Sequence, residues 1–395
     1  MKLLPFDYAI RNLGRSPKRL TLVAGGSALV SFLVLGAVAF ARGLDASLSS
    51  SGLSSNALLI GAGSEESVER SEIPASTAEI LAASIDGLAL IAGIPAVSPE
   101  IHAALPVELD HSQSPEATHA SSAIKREAPP VLIRGFESNA FIVHPQVRLT
   151  QGRWPTSGSD EIAAAPSALA KLEGATLGSR VLVAGASFEI VGLFEAPGTA
   201  MHGEYWMRLD RLAQLTQRTT RSCVIAALGN ADFDDIEAFT ASRLDLETIA
   251  MHESDYYAKL SEFFAPIRLL VIVTAILVSS GGVLGGVNAM YAAFSSRVRE
   301  VGTLQALGFS RGAIAISLII ESTVACLAGA LIASLLARLF LDGIAIQFSM
   351  GAFGLSVDAH AIACALLAGL LLGLVGAAPA IARCLSLSIP SALRS

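Results

Sequence analysis

The chain has 395 residues, of which 52% are hydrophobic and 15% charged. A soluble domain carries about a quarter charged residues, so this composition excludes a wholly soluble protein, and its apolar content excludes disorder. The net charge of −7 leaves no basic footprint, so no nucleic-acid partner is expected.

Residues 1–19 form a short basic, amphipathic segment with Lys2, Arg11, Arg15, Lys18 and Arg19. Residues 20–41 are uncharged and apolar, long enough for the ~20 residues that a spanning helix needs. Ala37, Ala39 and Ala41 mimic a signal-peptide cleavage site, but a signal core is only ~7–15 residues, so a retained span is expected.

Residues 42–266 are polar enough for a water-soluble domain, with 15 basic and 29 acidic residues. The Ser- and Gly-rich residues 45–64 read as the exit from the first helix, and residues 110–130 as a long surface loop. Residues 131–134, 161–165, 180–184 and 188–194 predict strands, with a hairpin turn at Gly185–Ala186. Pro166 opens a predicted short helix over 166–172. The acidic Asp232, Asp234 and Asp235 begin another over 231–243. The domain is mixed α and β. Cys223 is its lone cysteine, so its core holds without an internal disulfide. The seven histidines are scattered, with His111 and His119 in the long loop, and surface positions rather than a metal site are expected.

Residues 267–291 form a second span, which overlaps a stretch of 28 residues between Arg268 and Arg297 with no charged side chain. There Gly281, Gly282, Gly285 and Gly286 give two overlapping G-x-x-x-G spacings, which predict close helix packing. A phosphate-binding loop needs Gly-Lys-Ser/Thr, and none of the five lysines follows a glycine, so no ATP hydrolysis by a P-loop is expected from this chain. Residues 292–312 are a loop, 313–341 a third span, 342–358 a short loop, 359–382 a fourth span and 383–395 a tail. Gly308-Phe309-Ser310-Arg311-Gly312 matches a nucleophile elbow by letter. It lacks the preceding strand and the neighbouring acid and histidine, so Ser310 is expected to cap the third span. Glu321 lies within that span, where a carboxylate costs about 2.5–3.5 kcal/mol. It should therefore face protein or water, or be protonated, in a structural hydrogen bond to a neighbouring helix or as a proton relay. Basic residues precede the first span and lie in the 292–312 loop and the tail, whereas the 342–358 loop has none. Both termini are thus expected in the cytosol and the large domain outside.

Residues 295–312, SSRVREVGTLQALGFSRG, resemble the cytosolic loop of FtsX-like, MacB-type permeases of ABC transporters. Arg297, Arg299, Glu300, Val301, Gly302, Leu304, Ala306, Leu307 and Gly308 fall on the family's R-x-R-E-[IV]-G-x-L-x-A-[LI]-G core. Gln305 and Phe309 depart from its commoner residues. Ala9, Arg11, Asn12, Leu13 and Arg15 are similar to its opening motif. Pro379, Arg383, Pro390, Ala392, Leu393 and Arg394 are similar to its closing one, and GRWPTSGSDEIAAAP to a stretch of its periplasmic domains.

The resemblance implies four transmembrane helices with a mixed α/β extracytoplasmic domain between the first two, in a bacterial inner membrane. It also implies two permeases, as two copies or as two homologues, working with separate ABC ATPase subunits, and leaves room for a periplasmic adaptor. ATP and any cofactor would be bound by the ATPase, not by this chain. The 292–312 loop would be a coupling helix, with Arg297, Arg299, Glu300, Val301, Leu304 and Leu307 as the ATPase interface. As a helix, it places Val301, Leu304 and Leu307 on one apolar stripe. Two functions follow. One is mechanical export or extraction of a lipid, lipoprotein, peptide or drug; the other is a regulatory permease that activates a periplasmic partner and moves nothing. The 225-residue outer domain favours the first.

Overall fold

The computed structural model describes residues 17–110, 130–172, 174–295, 298–348 and 351–386. The chain divides into a helical unit (1–43, 266–344 and 355–395) and a sheet unit (44–265 and 345–354).

Helix α1 (Pro17–Ser51) continues through the first part of the Ser- and Gly-rich stretch that reads as its exit. The second part is strand β1 (Asn56–Gly61), buried at every position. A strand covered on both faces shows no alternation, which hides it in the sequence. Next come α2 (Thr77–Ser84), the two-residue strands β2 (Leu90–Ile91) and β3 (Ile94–Pro95), and the 13-residue β4 (Val97–Leu109). Residues 111–129, with His111 and His119, lie outside the described residues, and β5 (Pro130–Phe136) follows.

The chain continues through α3 (Ala140–Val143), β6 (Arg148–Gly152), β7 (Glu161–Ala164), α4 (Pro166–Leu169), β8 (Arg180–Val183) and β9 (Ala186–Glu195). Pro166 does open α4, which is shorter than expected. The turn between β8 and β9 uses Ala184 and Gly185, both at positive φ, one residue earlier than the expected pair. Strand β10 (Tyr205–Arg208), α5 (Leu209–Thr216), β11 (Cys223–Ala227), α6 (Phe233–Ser242), β12 (Thr248–His252) and α7 (Glu253–Phe263) complete this stretch.

Ten strands form one sheet in the order β12-β1-β11-β4-β5-β10-β7-β9-β6, with β8 paired to β4 and β9. Strand β4 is the shared member. Residues 97–100 pair with β11, 101–106 with β5 and 107–109 with β8. Two of the unit's apolar cores follow from this division. One gathers Leu59, Ile73, Leu81, Val224, Ile236 and Phe239. The other gathers Ile101, Ile133, Val181, Phe188, Ile190 and Leu212.

The helical unit continues with α8 (Ala265–Ser295), α9 (Val298–Ala306), α10 (Arg311–Phe340) and α11 (Ala359–Ser386). Strands β13 (Ala345–Phe348) and β14 (Gly351–Gly354) pair between α10 and α11 and belong to the sheet unit. Helices α1, α8, α10 and α11 are each long and apolar enough to cross a membrane. Small residues let three of them meet at backbone distance. A Cβ on Gly329 would lie 2.2 Å from the Ala24 carbonyl oxygen, and one on Gly373 2.6 Å from Thr323 Cα. Ser27 Oγ donates to the Cys326 carbonyl (2.8 Å) and Ser322 Oγ to that of Gly373 (2.7 Å). Polar side chains thus hold the bundle where lipid offers no hydrophobic drive between helices.

Candidate functional site

The loop helix α9 is built by local rules. Gly308 has φ +89, its N–H donates to the Gln305 carbonyl, and the Phe309 N–H donates to that of Leu304. This is a Schellman closure, with Leu304 and Phe309 as its apolar pair. Ser310 then caps α10, its Oγ accepting from the Ala313 N–H (3.2 Å), so the elbow-like motif is a helix start. The hydroxyl is spent on the backbone.

One face of α9 is inward. Val301 is 4% exposed among Met290, Ile314, Leu318 and Ile381, with Val298 and Leu304 packed partly against them. Arg299, Glu300, Thr303, Ala306 and Leu307 are exposed. The expected docking stripe is therefore split: Val301 faces its own chain, Leu304 is half-buried and Leu307 is free on the outside. The cause is the partner helix α10, whose Ile314 and Leu318 fill the space beside Val301. Arg297 lies outside the described residues.

The four glycines of α8 are split in the same way. A Cβ on Gly282 would lie 2.6 Å from Val30 Cγ2, and one on Gly286 3.4 Å from Leu372 Cδ1, so this pair packs within the chain. Gly281 and Gly285 meet nothing within 4 Å. The tightest contact of the bundle belongs instead to Gly329, which has no paired spacing to mark it. Gly369 and Gly373 form a further G-x-x-x-G pair on α11, whose Cβ positions would lie 2.8 Å from Ala330 Cβ and 2.6 Å from Thr323 Cα of α10. Glu321 is 4% exposed within α10.

In the sheet unit the GRWP…E stretch is a structural staple. Gly152 has φ +73, and a Cβ there would lie 2.2 Å from the Val191 carbonyl oxygen, so only glycine fits. Arg153 forks onto Glu161, which also accepts from the Thr156 N–H (2.9 Å) and hydroxyl (3.0 Å). The Arg153 guanidinium holds the Glu161 carboxyl well below the usual range.

A buried ion cluster at the β4 junction escapes the sequence. Glu100 Oε2 accepts from Arg134 (2.5 Å) and contacts His102 Nε2 (3.1 Å), while its Oε1 contacts His144 Nε2 (2.8 Å). The other side of Arg134 forks onto Glu204 (2.8 Å twice), which also accepts from Trp206 Nε1 (2.9 Å). Each of these residues is buried. Burial alone would raise the Glu100 carboxyl, but His144 and Arg134 hold it well below the usual range; against the same burial, Arg134 lowers the Glu204 carboxyl. Burial, then Arg134, pushes His102 down.

His102 and His144 are thus interior groups, against the surface positions expected, because a carboxylate and an arginine from distant strands receive them. Glu100, His102 and Cys223 bring one donor each within 4.8 Å of one another. With the guanidinium already on Glu100 Oε2, this set is arranged as an ion-paired network. A cavity of about 30 Å³, lined in part by His102, Cys223, Glu253 and Tyr257, adjoins it. That is room for a water.

Comparison with known proteins bears on both units. The MacB-like periplasmic core domain family matches residues 20–241, and the FtsX-like permease C-terminal family matches residues 272–389. No curated protein matches the chain. Among solved structures, the periplasmic region of MacB from Actinobacillus actinomycetemcomitans is 13% identical. It covers 52% of this chain and 92% of that one, with a TM-score of 0.38. The extracellular domain of the noncanonic ABC-type transporter YknZ from Gram-positive bacteria is 14% identical, over 50% and 99%, with a TM-score of 0.34. A domain of a putative permease from Porphyromonas gingivalis is 11% identical, over 49% and 85%, with a TM-score of 0.33.

Proposed function

The chain belongs to the FtsX-like permeases with a MacB-like periplasmic core domain, and from that premise we propose that it is the membrane subunit of an ABC transporter. In this reading a separate ABC ATPase docks on α9 and drives movement of the sheet unit, for export or extraction of a lipid, lipoprotein, peptide or drug. Both termini lie in the cytosol of a bacterium and the sheet unit outside the inner membrane, as the arginine distribution favours.

The observation that carries the reading is the two-sided packing of α9. Its inner face, through Val301, is fixed in the helical core, and its outer face presents Arg299, Glu300 and Leu307. A helix anchored on one side and charged on the other can pass a push from a docked partner into the bundle. The Schellman closure and the Ser310 cap join it to α10 with no slack. A second permease, as a copy or a homologue, is supported by Gly281 and Gly285, a small-residue face of α8 that none of the described residues fills.

The test is co-reconstitution with the cognate ATPase and a spectroscopic label on the sheet unit. ATP should change the label's signal, and Arg299→Glu should abolish the change. An ATP response that Arg299→Glu leaves intact would overturn the reading.

A further inference from the structure

Strands β2 and β3 form a minimal hairpin, with Leu90 opposite Pro95 and Ile91 opposite Ile94. Its two turn residues, Ala92 and Gly93, have φ of +53 and +80. Positive φ at both positions is the requirement of a type I′ turn, and an alanine adopts it only under strain. What this turn presents is apolar. Leu90, Ile91 and Ile94 are 64%, 54% and 53% exposed. Exposed aliphatics are ordinary one at a time, as Leu177 and Leu244 are elsewhere in the sheet unit; three on one tip mark a contact surface.

The hairpin is rigidly based. The Ala96 N–H donates to the Ala89 carbonyl (2.7 Å), and the Ala89 N–H donates to that of Ala227 (3.0 Å). The N–H groups of Asn230 and Ala231 both donate to the Gly87 carbonyl (2.8 and 3.0 Å). At Gly229 a Cβ would lie 2.6 Å from the Ala89 nitrogen, so the two loops touch at backbone distance. These bonds set the base of the hairpin beside the start of α6, where Asp232, Asp234 and Asp235 are exposed; Asp86, also exposed, adjoins Gly87. No Lys or Arg occurs in residues 71–124 or 222–242. The surface therefore pairs an aliphatic tip with carboxylates of a single sign.

We propose that the β2–β3 hairpin and the acidic start of α6 form one docking surface for a basic amphipathic segment of another protein. The aliphatic tip would anchor it and the aspartates would receive its Lys or Arg side chains. Charge selects this occupant. An anionic bilayer would be repelled by the aspartates, and so would the same face of a second copy. Binding here involves no residue of α9, so either it or ATPase docking can fail without the other.

The probe is a fluorescent Leu/Lys amphipathic peptide, titrated against the full chain in phosphatidylcholine nanodiscs. Ile91→Ser with Ile94→Ser should weaken its binding about tenfold, as loss of buried anchors does. Asp232→Asn with Asp234→Asn and Asp235→Asn leaves the hairpin whole and should weaken binding and flatten its salt dependence. Leu244→Ser, an exposed aliphatic elsewhere, should change nothing. Equal binding by the Ile91→Ser/Ile94→Ser variant, or by a Leu/Glu peptide, would overturn the proposal. So would phosphatidylglycerol vesicles, or self-association of the chain, competing for the tip and losing it with the same substitutions.

Discussion

Asn56 Nδ2 donates to Glu253 Oε2 at 2.8 Å in the interior of the sheet unit. Asn56 begins β1, the first strand after α1, and Glu253 begins α7, the last helix before α8. One hydrogen bond therefore ties the point where the chain enters the sheet unit to the point where it leaves. The same Oε2 accepts from the Leu53 N–H (3.1 Å), and a Cβ on Gly52 would lie 2.6 Å from the Glu253 carbonyl oxygen. Sequence separation makes this closure long-range, so each contact in it is bought with chain entropy.

Asn56→Ala removes a buried donor both to Glu253 and to the Val143 carbonyl (2.9 Å). It should destabilise the sheet unit by about 1–3 kcal/mol. Hydrogen exchange of the full chain should then rise in β1 and α7 before it rises in β7 or β9. A uniform rise would contradict a local clasp.

The Arg134 cluster gives a pH dependence of known sign. Glu100 and Glu204 are held below their ordinary values, so their stabilisation is present above the unfolded carboxylate range and is lost as pH falls through the folded values. Burial raises Glu253, which works the other way: acid relieves its penalty. Arg134→Leu would strand two buried carboxylates and should cost about 3–5 kcal/mol near neutrality. Its stability should recover on acidification towards pH ~4, over a range where the parent chain is flat or falling. Thermal unfolding against pH checks this, and parallel profiles would contradict the ion-pair account.

The glycines of α8 separate two kinds of contact. Gly282→Leu should disrupt the bundle of the single chain, because Val30 Cγ2 occupies the space. Gly281→Leu meets open space and should leave that bundle intact while weakening association with a second permease. Thermal melting and cysteine cross-linking across α8, measured on both variants, distinguish the effects. Loss of fold in Gly281→Leu would contradict the division.

What could be read from the residues was what short stretches encode. The apolar runs of the spans and the Ser310 cap act within a few positions, and each takes the expected form. The alternating strands β8 and β9 were legible for the same reason, whereas β1 was not, since burial on both faces erases the alternation. The ion cluster was invisible. Its bonds join Glu100 to Arg134 and His144, and Arg134 to Glu204, across separations of 34, 44 and 70 positions. A lone acid, arginine or histidine in a strand carries no local sign that it will be received. The facing of α9 also failed to show, since a nine-residue helix with apolar residues at several angles does not say which side α10 will cover.

The most direct measurement is the affinity of the cognate ATPase for the full chain in nanodiscs, with correctly inserted variants of α9. On this account Leu307→Ala weakens binding by about 1–3 kcal/mol, as loss of an exposed anchor would. Arg299→Glu weakens it further than Arg299→Ala, because reversal adds repulsion to lost attraction. Val301→Ala, whose side chain faces the helical core, lowers the melting temperature more than it lowers affinity. Unchanged affinity in both Leu307→Ala and Arg299→Glu would contradict the assignment of α9 as the surface through which an ATPase moves this protein.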